Sequence, residues 1–97
     1  MKKPKYIDVR GFLLLKITTL LKKEKLCGDE LAEKLKIEKT KLNPGTIYPA
    51  LKYLKSNKLV KINQEGRKKI YSLTKKGINE NKIARRIIKK MFKEIIK

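Results

Sequence analysis

Apolar residues between positions 44 and 58 repeat at the spacing of one face of an α-helix. Ile47, Leu51 and Leu54 are separated by four and three residues, so they fall on the same side of successive turns. They are predicted to pack inward with Ala50 beside them, and Lys58 continues the same spacing. The pattern predicts a helix over about residues 43–57.

The start and the opposite face of this helix are polar. Asn43 is a suitable N-cap, and Pro44 then falls at the first helical position, where its missing N–H is not needed. Pro49 removes the hydrogen bond to the carbonyl of Gly45, which predicts a tight or bent first turn. The outward face comprises Gly45, Tyr48, Pro49, Lys52 and Ser56.

A β-hairpin, or wing, is predicted over about residues 59–73. Residues 59–63 and 69–73 have the composition of strands, and residues 64–66 supply turn chemistry, with Gly66 free to adopt positive φ. Arg67, Lys68 and Lys69 then lie at or just past the tip. Thr74 is a suitable N-cap for a long amphipathic helix from about Lys75 to the C-terminus.

The apolar residues between Phe12 and Leu21 predict a core helix of about 16 residues, which ends at Lys22 and Lys23. It is too short and too interrupted by charge to span a membrane, and no cleavage site follows it, so we expect a cytoplasmic protein. Three basic residues at the N-terminus could form a DNA-contacting arm, although a frayed terminus is the simpler interpretation. They are Lys2, Lys3 and Lys5.

Three motifs in order resemble the PadR family of transcriptional regulators. The segment from Pro44 to Leu51 resembles its recognition helix, and the segment from Gly66 to Gly77 resembles its wing and following helix start. Upstream, residues 28–35 are similar to its second helix, with Asp29 where the family usually has an aromatic residue. The resemblance covers roughly residues 10–77. It implies a mostly α fold with a small β-hairpin (α+β): a winged helix-turn-helix domain over 1–74 and a C-terminal dimerisation helix over 75–97.

Charge points independently to a polyanionic partner. The formal net charge is +19, from 28 Lys and Arg against 9 Asp and Glu. Residues 39–97 hold 18 of these basic groups and 3 of the acids, so the excess gathers on the proposed recognition helix, wing and last helix. Such a surface binds nucleic acid by releasing counterions from phosphates. The alternative is a Lys-rich surface that is merely solvated, as in proteins from thermophiles. Such proteins usually balance Lys with Glu, and this chain does not, so nucleic acid is the better explanation.

Catalytic and metal chemistry lack their residues. The chain has no His and a single Cys, so we expect no enzyme activity, no metal site and no cofactor. The acids Asp29, Glu30 and Glu33 are better explained by the start of the second helix, where negative charge is favourable. Cys27 just before that helix could be a redox-sensing thiolate, but a small buried hydrophobe is the favoured interpretation.

The C-terminal helix carries apolar pairs every four residues. Two apolar residues per turn make a stripe wide enough for two surfaces, which favours a homodimer, as the resemblance also implies. The alternative is that the helix folds back over the first helix of its own chain. The predicted interface comprises Ile83, Ala84, Ile87, Ile88, Met91, Phe92 and Ile95. The opposite side carries Lys82, Arg85, Arg86, Lys89, Lys90 and Lys93, interpreted as solvated with some capacity for secondary phosphate contacts.

Roles follow for the DNA contact. Thr46, Tyr48 and Lys52 are predicted to enter the major groove of double-stranded DNA, and the amides of Gly45 and Thr46 to hold a phosphate. Tyr48 has an alternative role as a half-buried aromatic under the wing, and Tyr53 and Tyr71 are expected to be structural. The wing cations Arg67, Lys68 and Lys69 are expected along the minor groove or the flanking backbone.

The sequence therefore predicts a dimeric, sequence-specific regulator, a repressor by resemblance, on a pseudo-palindromic operator. Relatives often respond to a small-molecule effector, although no effector pocket is evident in the sequence. The alternatives are an architectural DNA-binding protein without sequence preference and a winged helix that binds an acidic protein.

Overall fold

Helices and a small sheet alternate along the chain. The computed structural model describes residues 9–35 and 44–96, and side chains within 11–35 and 47–96. The helices are α1 (Val9–Lys23), α2 (Gly28–Lys34), α3 (Pro44–Ser56) and α4 (Lys75–Ile96). The strands are β1 (Leu26–Cys27), β2 (Val60–Glu65) and β3 (Lys68–Leu73). Asn43 and the N-terminal lysines lie outside the described residues, so their predicted roles stay predictions.

The sheet is antiparallel in the order β1-β3-β2. The predicted wing is confirmed as β2 and β3, with Ile62 opposite Tyr71 and Glu65 opposite Lys68. β1 was not predicted, because two residues are too few to give a periodic signal. It pairs with β3 through Leu26 opposite Tyr71 and extends the wing into a three-stranded sheet.

The core lies between α1, α2, α3 and the sheet, and it confirms the inward face predicted for α3. Ile47, Ala50, Leu51 and Leu54 are all buried. They meet apolar side chains from α1, the start of α2 and the sheet. These include Ile17, Leu21, Leu26, Leu31, Val60 and Tyr71.

The end of α3 corrects the placement of Lys58. The helix ends at Ser56, and Lys58 adopts a φ of 59° rather than continuing the inward face. The amide of Lys58 donates to the carbonyl of Lys55 at 3.0 Å, and that of Leu59 donates to Leu54 at 2.9 Å. These two bonds form a Schellman motif, with a lysine at the left-handed position that glycine usually holds. The chain therefore turns directly from α3 into the wing.

The wing turn is tighter than the sequence indicated. Glu65 lies in β2, so the loop consists of Gly66 and Arg67 alone. Gly66 has a φ of +62°, as its sequence position predicted, and Arg67 does not share this positive φ. A glycine at the first position of a two-residue loop suits a type II′ hairpin, whose twist matches that of the strands.

Thr74 joins the wing to α4 and is the N-cap that the sequence predicted. Its hydroxyl accepts from the amide of Gly77 at 3.0 Å and donates to the carbonyl of Lys58 at 2.7 Å. Its own amide donates to the carbonyl of Leu59 at 3.1 Å. One residue therefore fixes the end of α3, the base of the wing and the start of α4.

We expect Thr74→Ala to lower the free energy of unfolding by about 1–2 kcal/mol, because it removes the cap of α4 and leaves the carbonyl of Lys58 without this donor. Urea unfolding followed by circular dichroism measures the change. Thr74→Ser keeps the hydroxyl and is the matched control. Equal destabilisation in both variants would mean that the Thr74 methyl group, not its hydrogen bonds, stabilises the junction.

The helices α1 and α4 pack on each other through a polar contact in an otherwise apolar seam. The amide of Asn81 donates to the hydroxyls of Thr18 at 2.7 Å and Thr19 at 3.1 Å. The hydroxyl of Thr18 donates in turn to the carbonyl of Leu14 at 3.0 Å. Asn81 is only 3% exposed, so these bonds set the position of α4 along α1.

Candidate nucleic-acid interface

Tyr48 projects from the outward face of α3 and lies over the start of α2. Its ring contacts the backbone at Gly28, since a Cβ placed there would lie 3.4 Å from both Cε1 and the hydroxyl of Tyr48. The side chain is 51% exposed. Tyr48 is thus supported on one side by α2 and open to solvent on the other.

The wing tip faces the same place. A crevice of about 320 Å³ is bounded by the start of α2, Tyr48 and the tip of the wing. Arg67 occupies the second position of the turn, and Lys68 and Lys69 begin β3. All three are exposed. The fold therefore brings together residues that are about 20 positions apart in the sequence. The lining residues are Cys27, Gly28, Asp29, Tyr48, Arg67, Lys68, Lys69 and Tyr71.

Tyr71 forms the buried side of this crevice. Burial raises the pKa of its phenol, and the neighbouring Tyr48 raises it further. The hydroxyl is a donor at neutral pH, as a tyrosine with its ordinary pKa also is. Its burial confirms the expected structural role of Tyr71. Tyr53 is 40% exposed on another face of α3 and lies outside this crevice.

Acidic residues at the start of α2 balance part of the positive charge. The amide of Cys27 donates to Glu30 Oε1 at 2.9 Å. This hydrogen bond and that from the Cys27 side chain lower the pKa of Glu30. Desolvation opposes them, and the charges of Lys68 and Lys34 lower the pKa further. Lys68 therefore has an anionic neighbour on α2.

The remaining residues of the predicted outward face belong to α3. Lys52 is exposed on α3, one turn after Tyr48. Gly45 and Thr46 belong to the first turn of α3, but their side-chain surroundings lie outside the described residues. Pro49 lies within the α3 helix and is exposed.

Sequence reasoning missed the contribution of α2 to this surface. The backbone of Gly28 lies against the Tyr48 ring, and Asp29 places a carboxylate at the rim of the crevice. The sequence signal was the glycine that precedes an acidic helix start, but its partner could not be identified without the tertiary fold. Cys27 is buried and free of disulfide bonding, in agreement with the favoured interpretation of a small buried side chain.

The predicted interface residues of α4 divide into two groups. Ala84 and Ile88 are partly buried, and they line a crevice against α1 together with Ile87 and Met91. α4 therefore does fold over its own first helix, as the alternative expected. A second group of apolar side chains nevertheless stays open, and Ile95 is 74% exposed. This group comprises Ile83, Ile87, Met91, Phe92 and Ile95, and Ile96, which was not among the predicted residues, is exposed beside them.

The part of the chain that the structure describes contains neither a cluster of metal ligands nor a membrane-spanning helix. Within residues 9–35 and 44–96 no group of three or more potential metal ligands comes together. No helix among these residues is long and apolar enough to cross a membrane.

Three helices followed by an antiparallel β-hairpin, with a short β1 strand completing the sheet, give the chain the architecture of a winged-helix protein. A solved winged-helix DNA-binding protein from STIV shares this fold, with a TM-score of 0.71 at 24% identity over 90% of this chain and 95% of that one. Comparison with family models is more specific. The model of the transcriptional regulator PadR-like family matches residues 17–82. The chain belongs to this family, as its motifs suggested, and is a DNA-binding transcriptional regulator.

Solved structures agree with the family assignment. A PadR family transcription regulator from Clostridium difficile superimposes with a TM-score of 0.74 at 27% identity, covering 89% of this chain and 99% of that one. A PadR-like transcription factor from Bacteroides fragilis gives 0.76 at 27% identity, covering 89% and 88%. A transcriptional regulator from Clostridium thermocellum gives 0.78 at 25% identity, covering 90% and 92%. The search of curated proteins found no match. Family members are non-enzymatic, which agrees with the expectation that the chain is not an enzyme.

Proposed function

We propose that the protein is a sequence-specific repressor that binds a pseudo-palindromic operator as a homodimer. The observation that carries the proposal is the crevice in which Tyr48 of α3 stands beside Arg67, Lys68 and Lys69 of the wing. An aromatic donor on a helix and cations on an adjoining hairpin suit a major groove and the neighbouring phosphates. Occupying the operator would exclude polymerase.

Each part of the surface has its own role in this proposal. The major groove is contacted by the side chains of Thr46, Tyr48 and Lys52. The amides of Gly45 and Thr46 hold a phosphate. The wing cations contact the flanking backbone or the minor groove. Residues 1–74 form the DNA-binding unit and 75–97 the dimerisation helix.

The exposed apolar side chains of α4 support the dimer. A row of large apolar groups on one helix is stabilised when a second copy covers it. A two-fold axis through this contact would present two copies of α3 to two half-sites. The apolar crevice of about 300 Å³ between α1 and α4 adjoins this surface and offers space for a small effector.

Selection of bound fragments from genomic DNA tests the function directly. A regulator should enrich a defined site and retain it against excess random duplex. An architectural protein should enrich nothing and should lose all binding together as salt rises. Failure to bind any DNA would favour a protein-binding role instead.

We expect Tyr48→Ala and Lys52→Ala each to weaken binding to the selected operator by about 1–3 kcal/mol while the dimer persists, because both side chains lie on the exposed face of α3. Fluorescence anisotropy measures the affinity, and sedimentation measures the dimer. Tyr48→Phe separates the hydroxyl from the ring, and Lys16→Ala on α1 is a charge-matched control. Normal affinity in both α3 variants would refute the assignment of this face to the groove.

A further inference from the structure

A second basic surface lies away from the wing, in a groove between α1 and α4. The groove has a volume of about 660 Å³. Its floor is apolar, formed by Leu15 and Ile88, and its rim is cationic. The rim residues are Lys22, Lys82, Arg85, Arg86 and Lys89.

Among the residues that the structure describes, no acidic side chain lines this groove. The ion pair between Lys34 and Glu24, at 3.6 Å, involves none of the five cations of the groove. Glu80 of α4 lines a different crevice, beside Tyr53 and Asn81. Like charges spaced by three and four residues on one helix repel each other, so their convergence is unfavourable unless an anion binds there.

The groove is distinct from both surfaces described above. It shares no residue with the crevice beside Tyr48 and the wing. It shares only Leu15 and Ile88 with the apolar crevice that includes Phe12 and Met91. The two α1–α4 surfaces therefore differ in chemistry: one is apolar and the other is cationic.

A second copy of the chain is a poor occupant for the cationic groove. A groove that lies on the two-fold axis would meet its own copy, whose rim carries the same five positive charges. Such like-charge contact disfavours association. The apolar crevice carries no such penalty, so the dimer and the groove can coexist on the same pair of helices.

We propose that this groove binds the phosphate backbone of duplex DNA outside the segment held by α3 and the wing. The choice of DNA rests on the proposed function, which already places the protein on a duplex. Arginine forks suit phosphate oxygens, and the lysines add point charges around them. The phosphates come either from the flanks of the same duplex, bent toward the groove, or from a second duplex.

Arg85→Gln/Lys89→Gln tests the groove, and Lys16→Gln/Lys25→Gln removes the same charge from exposed positions that do not line it. Affinity is measured by anisotropy over a range of KCl concentrations. The probes are mixed-sequence duplexes of roughly 20 and 60 base pairs. The shorter probe is long enough for both copies of α3 in the dimer, about one helical turn apart, but leaves little flanking DNA. For the groove variant, the slope of log affinity against log salt concentration should become shallower by roughly 0.9 for each phosphate contact that is lost. The control variant should keep the wild-type slope.

The two sources of phosphate give different patterns. If the flanks bind, the groove variant changes the slope on the long duplex only, and hydroxyl-radical protection of that duplex shortens. If another duplex binds, the wild-type dimer, which has one groove in each protomer, sediments with more than one short duplex, and the groove variant sediments with one. Arg85→Lys/Lys89→Arg keeps the charge and should behave as wild type, which excludes a fold defect as the cause.

Equal salt dependence of the groove and control variants on every probe would overturn the proposal, and would leave the groove to an acidic protein partner. This outcome is distinguishable from failure of the proposed function. The latter is decided by Tyr48→Ala and Lys52→Ala, whose side chains do not line the groove.

Discussion

Gly77→Ala is expected to destabilise the protein by about 2 kcal/mol or more, even though alanine is the better helix former. A Cβ at position 77 would lie 2.0 Å from the carbonyl oxygen of Leu59 and 3.0 Å from the Leu73 side chain. The carbonyl belongs to the backbone at the base of the wing and accepts the amide of Thr74, so it cannot move without loosening that junction. Urea unfolding measures the decrease in stability.

Asn79→Ala is the matched control, because Asn79 is an exposed residue on the same turn of α4. An exposed substitution of this kind should change the free energy of unfolding by no more than about 0.5 kcal/mol. If Gly77→Ala proves as stable as Asn79→Ala, the close approach of α4 to the wing would be wrong. If Gly77→Ala stays folded, we also expect weaker DNA binding, since the wing and α4 meet at this contact.

Phe92→Glu is expected to convert the proposed dimer to a folded monomer. Phe92 is 47% exposed, so a carboxylate there does not disturb the core of the chain, but it would be buried without a partner in the proposed interface. A monomer binds only one half-site, so operator affinity should fall by about 10²–10⁴-fold. Analytical ultracentrifugation and anisotropy measure the two effects.

Asn79→Glu makes the same change in charge on an exposed part of α4 and should leave the dimer intact. Ile88→Glu is a less clean test, because Ile88 also packs against α1 and its replacement can destabilise the monomer. Dimers that survive Phe92→Glu at unchanged affinity would assign the exposed side chains of α4 to some other contact. In that case the two-fold operator would lose its structural basis.

Much of the fold could be predicted because its signals are local. The three-and-four spacing of Ile47, Leu51 and Leu54 predicted the buried face of α3. Thr74 predicted the start of α4, and Gly66 predicted the wing turn, because capping and positive φ depend on neighbours within a few residues. Lys58 was misplaced for a related reason: the helix spacing gave no warning that a lysine would adopt the left-handed conformation of a Schellman motif.

The candidate site was less predictable. Sequence motifs identified Tyr48 and the wing cations, but not the support that Gly28 and the short β1 give them. The two-residue strand β1 forms because the free edge of β3 pairs with it. Neither Leu26 nor Cys27 carries a local sequence signal that predicts this pairing. The same holds for Asn81, whose burial against Thr18 could not be read from an amphipathic pattern that treats asparagine as polar and exposed.

The sequence by itself determined the helices and the two strands of the wing, their order, the family and the positive charge that suits DNA. Periodicity, capping, motifs and composition are properties of the chain alone. Only the tertiary structure decided which surfaces those elements share. It placed Tyr48 against α2 and beside the wing, brought Gly77 under Leu59, and separated an apolar from a cationic groove along α1 and α4. These are contacts between residues far apart in sequence. They depend on how the helices and the sheet pack around one core, which no local pattern encodes.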